Sequence, residues 1–278
     1  MLSAIGHALA DPWGEPIMRR AFAEVVLLGI AGGALGCWVI FYNLSYSAES
    51  LAHSLLPGLV AAALLGLPLL LGGAVGIVVA AIAIAVVART PAIGRDTAVA
   101  VVVTVLFGLG VLLALSPTVP AGLGELLFGD VLGVSDGDLL FAALLVAAVV
   151  GALAVLHGRL MVVGFDRLSA PGLGVSPAVV DAALLVLVAV TVLVAVQSLG
   201  NLLVVAVLIA PGATARLLTR RMGTMVVVAA ALAIAAAMAG LYLSYYAGTA
   251  AGASIAGILV AAYLVSALVR AAVPSAPA

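Results

Sequence analysis

Lysine is absent from this 278-residue sequence, and charged residues of every kind are scarce. Ten basic residues, all arginine, and eleven acidic residues make up 8 % of the chain, whereas a soluble domain carries about 25 %. A P-loop requires a lysine in the pattern G-x-x-x-x-G-K-[ST], so the chain cannot carry an ordinary nucleotide-hydrolysing site. If ATP drives its activity, another polypeptide must bind the nucleotide.

Other absences narrow the possible classes further. Cys37 is the only cysteine, which excludes an intrachain disulfide, and its place in an apolar stretch favours a packing role. The net charge of −1 gives no indication of nucleic acid as a partner. Residues 1–20 contain charged and proline residues without an apolar core, so they do not resemble a cleaved signal peptide.

What the chain has in abundance is apolar sequence: 67 % of its residues are hydrophobic and its mean hydropathy is +1.44. Stretches long enough to cross a bilayer, or nearly so, lie at 22–42, 51–67, 72–88, 97–115, 139–156, 178–196, 199–218, 223–243 and 252–269. Lipid leaves no partner for loose backbone groups, so an all-helical structure follows. We predict an all-α polytopic membrane bundle of about eight or nine transmembrane helices over residues 22–270. Residues 1–21 form an N-terminal segment and 271–278 a C-terminal tail.

Small residues at four-residue spacing are typical of close helix packing in membranes. Gly32 with Gly36, and Gly248 with Gly252, have this spacing. With 31 glycines in the chain, such spacings also arise from composition alone.

Arginine positions predict the orientation, because cytoplasmic loops of membrane proteins are enriched in basic residues. Four places carry arginine near the ends of apolar stretches: Arg89 and Arg95, Arg159 and Arg167, Arg216 with Arg220 and Arg221, and Arg270. All four fall on one side, the predicted cytoplasm, while the acidic loop 116–138 falls on the other. Counting back through the spans places the N-terminus outside. Arg19 and Arg20 are then on the wrong side, unless a segment near 51–67 is re-entrant.

The loop 157–177 is the longest on the predicted cytoplasmic side. Within this loop we predict a short amphipathic helix that begins at Asp166 and is stopped by Pro171-Gly172. Such an element is either a docking site for a cytoplasmic partner or an ordinary connection, and the residues alone leave both open.

Glu49 and His53 are the most unusual polar pair in the sequence. They are four residues apart and therefore share one face of a helix, with Pro57 one turn further on, where the helix kinks or restarts. A carboxylate and an imidazole in lipid are costly unless they face a cavity, a partner or an ion. They can supply an oxygen and a nitrogen ligand to Zn²⁺, Mn²⁺ or Fe²⁺. The alternative is a salt bridge or a solvated helix start at the membrane surface.

A second polar interruption runs from Gln197 to Asn201 between two long apolar stretches. These residues either line a pathway or form an extracellular turn. Glu24 and Asp181 lie near helix ends and are interpreted as structural acids, and Arg20 has the i,i+4 spacing to pair with Glu24.

One enzyme motif matches literally, since residues 133–137 read G-x-S-x-G around Ser135. That motif needs a strand–turn–helix context and partner residues. An acidic loop between membrane helices does not provide them, so we interpret the match as chance and predict no enzymatic activity.

Several separated segments, taken in order, resemble the permease subunits of bacterial zinc/manganese ABC importers (the ZnuB-like, ABC-3 family). Glu49 through Gly58 resembles D-[AS]-[LI]-S-H-[AS]-V-L-P-G. Further matches are Asp96 at the start of a helix, Leu127 through Leu132, Phe165-Asp166 with Ala170 and Gly174, Gln197 through Leu203, and Ala206 through Ala215. The match spans roughly residues 22–265. Two departures are Glu49, where the family usually has Asp, and Phe41-Tyr42-Asn43, where many members have a basic pair.

The resemblance implies the type II importer fold and a homodimeric or pseudo-dimeric permease in the bacterial inner membrane. It implies a cytoplasmic ABC ATPase docked on 157–177 at Phe165, Asp166, Ala170 and Gly174, and an extracytoplasmic metal-binding protein. It also implies that Glu49 and His53 border the path of a transported metal, most simply zinc or else manganese, with Gln197 and Asn201 as further lining residues. No tightly bound cofactor is expected.

Two other transport classes remain open at this point. One is an ABC permease for a chelated metal or cofactor, which would need a wide cavity but no ionisable ligands. The other is a proton-coupled secondary metal carrier without an ATPase, for which more intramembrane acids would be expected.

Overall fold

The computed structural model describes residues 11–87, 95–115 and 129–272, and these residues are almost entirely helical. The helices are α1 (Pro16–Phe41), α2 (Ser45–Ser54), α3 (Leu56–Leu65), α4 (Leu69–Val87), α5 (Arg95–Ala114), α6 (Asp136–Phe165), α7 (Pro177–Leu218), α8 (Met222–Ala247) and α9 (Ala251–Ala272). A short 3₁₀ turn at Ala170–Leu173 precedes α7. The predicted all-α architecture is confirmed.

Within the described residues, seven helical passages are long and apolar enough to cross a membrane, and α2 and α3 together make one of them, Ser45–Leu65. Two shorter apolar helices, Leu69–Ile84 and Leu203–Leu218, complete the predicted set. By length and composition Ser45–Leu65 is a candidate span, whereas the alternative expectation was a re-entrant segment near 51–67.

Helix α7 is broken at Gly200, whose backbone angles (φ 74°, ψ 164°) are not helical. A straight helix of its 42 residues would be roughly twice as long as the ~30 Å bilayer core is thick. Instead the chain reverses direction at Gly200. The evidence is that Thr191 before the break and Leu208 after it line one small cavity beside Leu28. The predicted spans 178–196 and 199–218 are therefore the two arms of α7.

Helix α1 is the centre of the bundle and the most buried of the candidate spans. It runs parallel to α6, since Arg20 meets Asp136 near the start of both helices and Trp38 meets His157 near their ends.

Glycines on two faces of α1 let its neighbours approach closely. A Cβ on Gly36 would lie 1.8 Å from the Leu208 carbonyl oxygen on α7, and one on Gly33 would lie 2.9 Å from the Ala229 backbone on α8. The Gly32/Gly36 interpretation thus holds. Gly248 has another role, because its left-handed backbone (φ 63°) ends α8.

The contacts of α1 also separate the two ends of the bundle. One end holds the start of α1 and Gly200, and the other holds the following described arginines: Arg159, Arg167, Arg216, Arg220, Arg221 and Arg270. The positive-inside rule assigns the arginine-rich end to the cytoplasm. Arg89 and the side chain of Arg95 lie outside the described residues.

Arg20 was predicted to lie on the wrong side of the membrane, and its positive charge is balanced there by an acidic side chain. Its Nε lies 2.9 Å from Oδ1 of Asp136 on α6. The expected pairing of Arg20 with Glu24 is wrong, since Glu24 turns into the bundle and is 1 % exposed.

Two predicted boundaries also shift. Helix α1 begins at Pro16, within the predicted N-terminal segment, and α6 continues to Phe165 through most of the first half of the predicted loop 157–177. Asp166 ends a helix where we predicted that it begins one. Polar His157 and Arg159 lower the hydropathy there, but neither residue breaks a helix.

The close approach at Gly36 predicts the effect of a single methyl group. Gly36→Ala should lower the free energy of unfolding by about 2 kcal/mol or more, because its Cβ would collide with backbone that cannot move independently. Gly151→Ala on α6, where a Cβ meets nothing within 4 Å, is the matched control. Thermal unfolding of the detergent-solubilised proteins measures both, and equal midpoints would contradict the packing argument.

The orientation is tested by labelling single cysteines in a Cys37→Ala background. Leu168→Cys, at a 94 % exposed position in the arginine-rich end, should react with an impermeant thiol reagent only after the cells are opened. Leu132→Cys, at the opposite end and 41 % exposed, should react in intact cells. The reverse pattern would invert the topology.

Candidate functional site

The segment that carries Glu49 and His53 is a helix interrupted once. Helix α2 ends at Ser54 and α3 begins at Leu56, with Pro57 in the first turn of α3, where its missing N–H costs little. Leu55 keeps right-handed helical angles (φ −67°, ψ −33°), so the chain crosses the interruption without reversing. The predicted restart at Pro57 is observed.

Gly58, the residue after the proline, has no room for a side chain. A Cβ on Gly58 would lie 2.1 Å from the carbonyl oxygen of Gly72 on α4, and one on Gly72 would lie 2.3 Å from that of Gly58. The two helices therefore touch backbone to backbone. This contact packs the end of the polar helix α2 firmly against α4, since Ser54 and Leu55 contact Gly76.

Glu49 and His53 face each other along α2, as their spacing predicts. Nε2 of His53 lies 3.8 Å from Oε1 of Glu49, which is an ion-pair distance but too long for a hydrogen bond. The His53 ring packs edge-on against Phe107 of α5, with centroids 5.0 Å apart. Phe107 thus holds the imidazole, and no sequence motif had pointed to this residue.

The pair is accessible from outside the helical bundle. The Glu49 side chain is 50 % exposed and that of His53 is 23 % exposed. A cavity of about 520 Å³ borders another part of α2, at Ser47, Ser50 and Ser54, and neither Glu49 nor His53 lines it. Glu49 therefore lies at the outer surface of this chain. His53 is partly covered beside it, with Nδ1 buried and without a partner, and Ser50 and Ser54 are buried.

As a metal site the pair is incomplete among the described residues. Two ligands at about 2.1 Å from one tetrahedral ion are about 3.4 Å apart, so a small side-chain movement from 3.8 Å would let both bind one cation. Among the described residues, no group of three or more His, Cys, Asp or Glu side chains gathers anywhere. The described part of the chain therefore adds no third side chain of these types to the pair.

Gln197 lies elsewhere, at the extracytoplasmic end of the bundle. It borders a small cavity of about 60 Å³ together with Glu24, Ser198 and Asp138. Ser198 Oγ donates a 2.8 Å hydrogen bond to Glu24 Oε1, while Glu24 Oε2 is buried without a partner. The structure thus does not bring Gln197 together with Glu49 and His53, and the side chain of Asn201 lies outside the described residues.

Two of the segments that carry the family resemblance meet at this end. Gly129, with a left-handed backbone (φ 75°), lies so close to the α7 break that a Cβ would be 2.3 Å from the Leu199 carbonyl carbon. Only glycine fits there, so the loop before α6 is fastened to the reversal at Gly200. Leu127, Phe128 and the side chain of Asp96 lie outside the described residues.

Ser135 is the cap of a helix and not a nucleophile in an elbow. Its Oγ accepts a hydrogen bond from the Asp138 N–H at 3.3 Å, and the Asp138 carboxylate accepts one from the Ser135 N–H at 2.9 Å. This reciprocal capping box starts α6. It accounts for the serine of the G-x-S-x-G match structurally.

The cytoplasmic turn after α6 is organised by Asp166. Its Oδ1 accepts hydrogen bonds from the N–H groups of Leu168 and Ser169, both at 3.1 Å. The Ser169 side chain first, then the Ser169 N–H, holds the pKa of Asp166 below its usual value, so the cap is ionised at neutral pH. Gly174 ends the turn with a left-handed backbone (φ 73°).

The four residues expected to dock a partner differ in exposure. Phe165 is 75 % exposed, whereas Ala170 is fully buried against the bundle and presents no side chain to solvent. Leu168 and Leu173, which belong to no predicted site, are 94 % and 68 % exposed. Arg167 pairs with Asp181 of α7, which gives Asp181 its expected structural role.

Comparison with known proteins covers nearly all of these elements. Residues 15–270 match the ABC 3 transport family. The chain is 33 % identical over 248 residues to the manganese transport system membrane protein MntC of Halalkalibacterium halodurans, covering 89 % of this chain and 84 % of that protein. It is 32 % identical over 260 residues to a probable iron transport system membrane protein of Haemophilus influenzae, covering 94 % and 96 %.

A solved structure, PsaBC from Streptococcus pneumoniae in complex with Fab, has a chain with the same fold. The TM-score is 0.86 at 29 % identity, and the alignment covers 94 % of this chain and 95 % of that one. Permease relatives and the apolar helices make this a multi-pass protein of the bacterial inner membrane. On these grounds the chain belongs to the ABC 3 transport family.

Proposed function

We propose that this chain is the permease of an ATP-driven importer for a divalent transition metal, and that the metal passes between two copies of it. The observation that supports this most strongly is the position of Glu49 and His53 on the outer surface of α2. Both side chains are partly exposed there, although the chain around them is an apolar bundle built for lipid.

A carboxylate that faces hydrocarbon is costly, so the surface around Glu49 calls for a covering partner. The simplest covering partner is a second copy of this chain related by a twofold axis. Most oligomers of identical chains are symmetric, and a twofold axis brings the same surface of both copies together. Such a dimer would contribute two carboxylates and two imidazoles to one path. That set fits a divalent cation, whereas one chain supplies only half of it.

The names of the relatives favour manganese over zinc as the cargo. The Halalkalibacterium protein is named for manganese and the Haemophilus protein for iron. Mixed carboxylate and imidazole ligands suit Mn²⁺ and Fe²⁺ as well as Zn²⁺. Glu49, one methylene longer than the family's usual Asp, keeps the same ligand atoms.

Energy would come from a separate ABC ATPase bound at the cytoplasmic turn. The sequence has no lysine for a P-loop, and family membership favours an ATPase partner over a proton-coupled carrier. Phe165, Leu168 and Leu173 offer an exposed apolar surface, while Ala170 and Gly174 would fix the shape of the turn. An extracytoplasmic binding protein would deliver the ion at the opposite end, near Gln197.

Metal uptake by the reconstituted transporter tests the path. His53→Ala and Glu49→Gln should each lower radioactive manganese uptake by more than about tenfold. His53→Ala removes a ligand nitrogen from both copies, and Glu49→Gln replaces a charged carboxylate by a neutral amide, which is a poorer ligand for a divalent cation. Glu49→Asp should keep much of the activity, since the carboxylate remains. Tyr46→Phe, at a 45 % exposed position on the same helix, is the control.

The competing interpretation is a surface ion pair that only stabilises α2. It predicts lower protein yield and a lower melting temperature, with normal uptake per folded molecule. Normal uptake by well-folded His53→Ala protein would remove the pair from the mechanism.

Docking of the ATPase is tested on the exposed leucines. Leu168→Asp combined with Leu173→Asp should abolish co-purification of the ATPase, because both side chains lie on the surface of the turn and can change without unfolding it. Leu132→Asp, at the extracytoplasmic end, should leave co-purification unchanged. An ATPase that still co-purifies with the double variant would place the docking surface elsewhere.

A further inference from the structure

Four arginines gather around one cavity at the cytoplasmic end of the bundle. Arg216 comes from the end of α7, Arg220 and Arg221 from the turn before α8, and Arg270 from the end of α9. The cavity has a volume of about 570 Å³, which is within the usual range for small-molecule sites. Arg270 is 49 residues beyond Arg221 in the sequence, so only folding brings these charges together.

No carboxylate neutralises these charges within the described part of the chain. The ion pairs formed by described residues join Arg20 to Asp136, His53 to Glu49 and Arg167 to Asp181, and none involves an arginine of this cavity. The cavity lining contains no acidic residue either.

Two of the guanidinium groups are held in position without being neutralised. The Arg216 guanidinium lies 5.7 Å above the centre of the Phe41 ring, and Arg270 donates a hydrogen bond to the carbonyl oxygen of Leu217. Both contacts orient the side chains and leave their charges in place. Oriented guanidinium groups without a counter-charge match the geometry of a phosphate group.

Apart from Thr219, the rest of the cavity wall is apolar. It consists of side chains from the cytoplasmic ends of α1, α6 and α8: Phe41, Met161, Phe165, Met222 and Met225. These helices are candidate membrane spans, so we expect an apolar group held at this wall to extend into the lipid. The ligand that fits is therefore an amphiphile, with an anionic head among the arginines and apolar chains beside the phenylalanine and methionine side chains.

We propose that this cavity binds the phosphate headgroup of an anionic phospholipid from the cytoplasmic leaflet. Basic pockets between transmembrane helices on this side of a membrane bind such headgroups. Free phosphate would leave the apolar wall exposed to water. An acidic protein segment would not need an apolar wall such as that formed by Met225, which is 3 % exposed.

Lipid retention tests the assignment. The full-length permease is reconstituted in nanodiscs of equimolar phosphatidylglycerol and phosphatidylcholine, extracted in mild detergent, and analysed by native mass spectrometry. The wild-type protein should retain phosphatidylglycerol selectively. Arg220→Gln combined with Arg221→Gln should lower that retention by about tenfold or more, since each arginine near the surface contributes to the attraction.

Two controls separate the site from general surface charge and from misfolding. Arg159→Gln removes an exposed arginine at the same end of the bundle but outside the cavity, and should keep wild-type retention. Arg220→Lys combined with Arg221→Lys keeps the charges and should keep a large part of the retention. The melting temperatures of all variants show whether the bundle is intact.

Three results would overturn the proposal. The first is wild-type protein without selectivity for phosphatidylglycerol, or with the same loss in Arg159→Gln. The second is protein that retains inorganic phosphate but no phosphatidylglycerol when both are supplied. The third is a glutamine double variant that keeps its lipid but no longer co-purifies with the ATPase, which would assign the cavity to the docking surface.

Discussion

The cost of placing a charge in hydrocarbon determines where the charged side chains of this chain lie. Arg20 and Asp136 pair at one end of the bundle, Arg167 and Asp181 pair at the other, and Glu24 is buried with a hydrogen bond from Ser198. Glu49 with His53 is the exception, since the pair lies on the outer surface of a membrane helix at a separation too long for a hydrogen bond. The four arginines of the cytoplasmic cavity also lack a counter-charge, but they lie at the end of the bundle, whereas Glu49 and His53 lie on a membrane helix. The proposed dimer would supply the partner that this surface calls for, and the transported metal would supply the cation.

Close backbone contact is the second constraint, and it positions the polar segment. Apolar side chains gain little by leaving lipid for the protein interior, so membrane helices associate through tight packing of small residues. Gly36 lets α7 approach the central helix, and the mutual contact of Gly58 and Gly72 fastens α3 to α4. These contacts fix the position of helix α2 in the bundle, with its serines towards the 520 Å³ cavity and the Glu49–His53 pair away from it. Substitution of these glycines would therefore move Glu49 and His53, although the glycines are not part of the pair.

Local sequence information predicted those features that depend on local physics. The apolar stretches, the restart at Pro57, the shared face of Glu49 and His53 and the arginine-rich end all follow from composition and helical periodicity. Features that depend on distant contacts were missed or wrong. Arg20 pairs with Asp136 and not with Glu24, and Ala170 is buried. The four arginines that line one cavity come from separate segments of the sequence. Helix α6 extends beyond its apolar stretch. A fall in hydropathy marks the edge of the lipid, whereas a helix ends only where its backbone is capped or broken.

The central claim is that the outer surface of α2 faces a second copy of the chain. It is tested most directly by cross-linking in native membranes, with Glu49→Cys as the only cysteine in a Cys37→Ala background. If two copies place residue 49 around one shared ion path, a short bifunctional thiol reagent should convert most of the protein to a covalent dimer. Ile82→Cys, at a 59 % exposed position on α4, should give little dimer under the same conditions. Absence of a dimer from Glu49→Cys, with the cysteine still reactive towards a monofunctional reagent, would contradict the account.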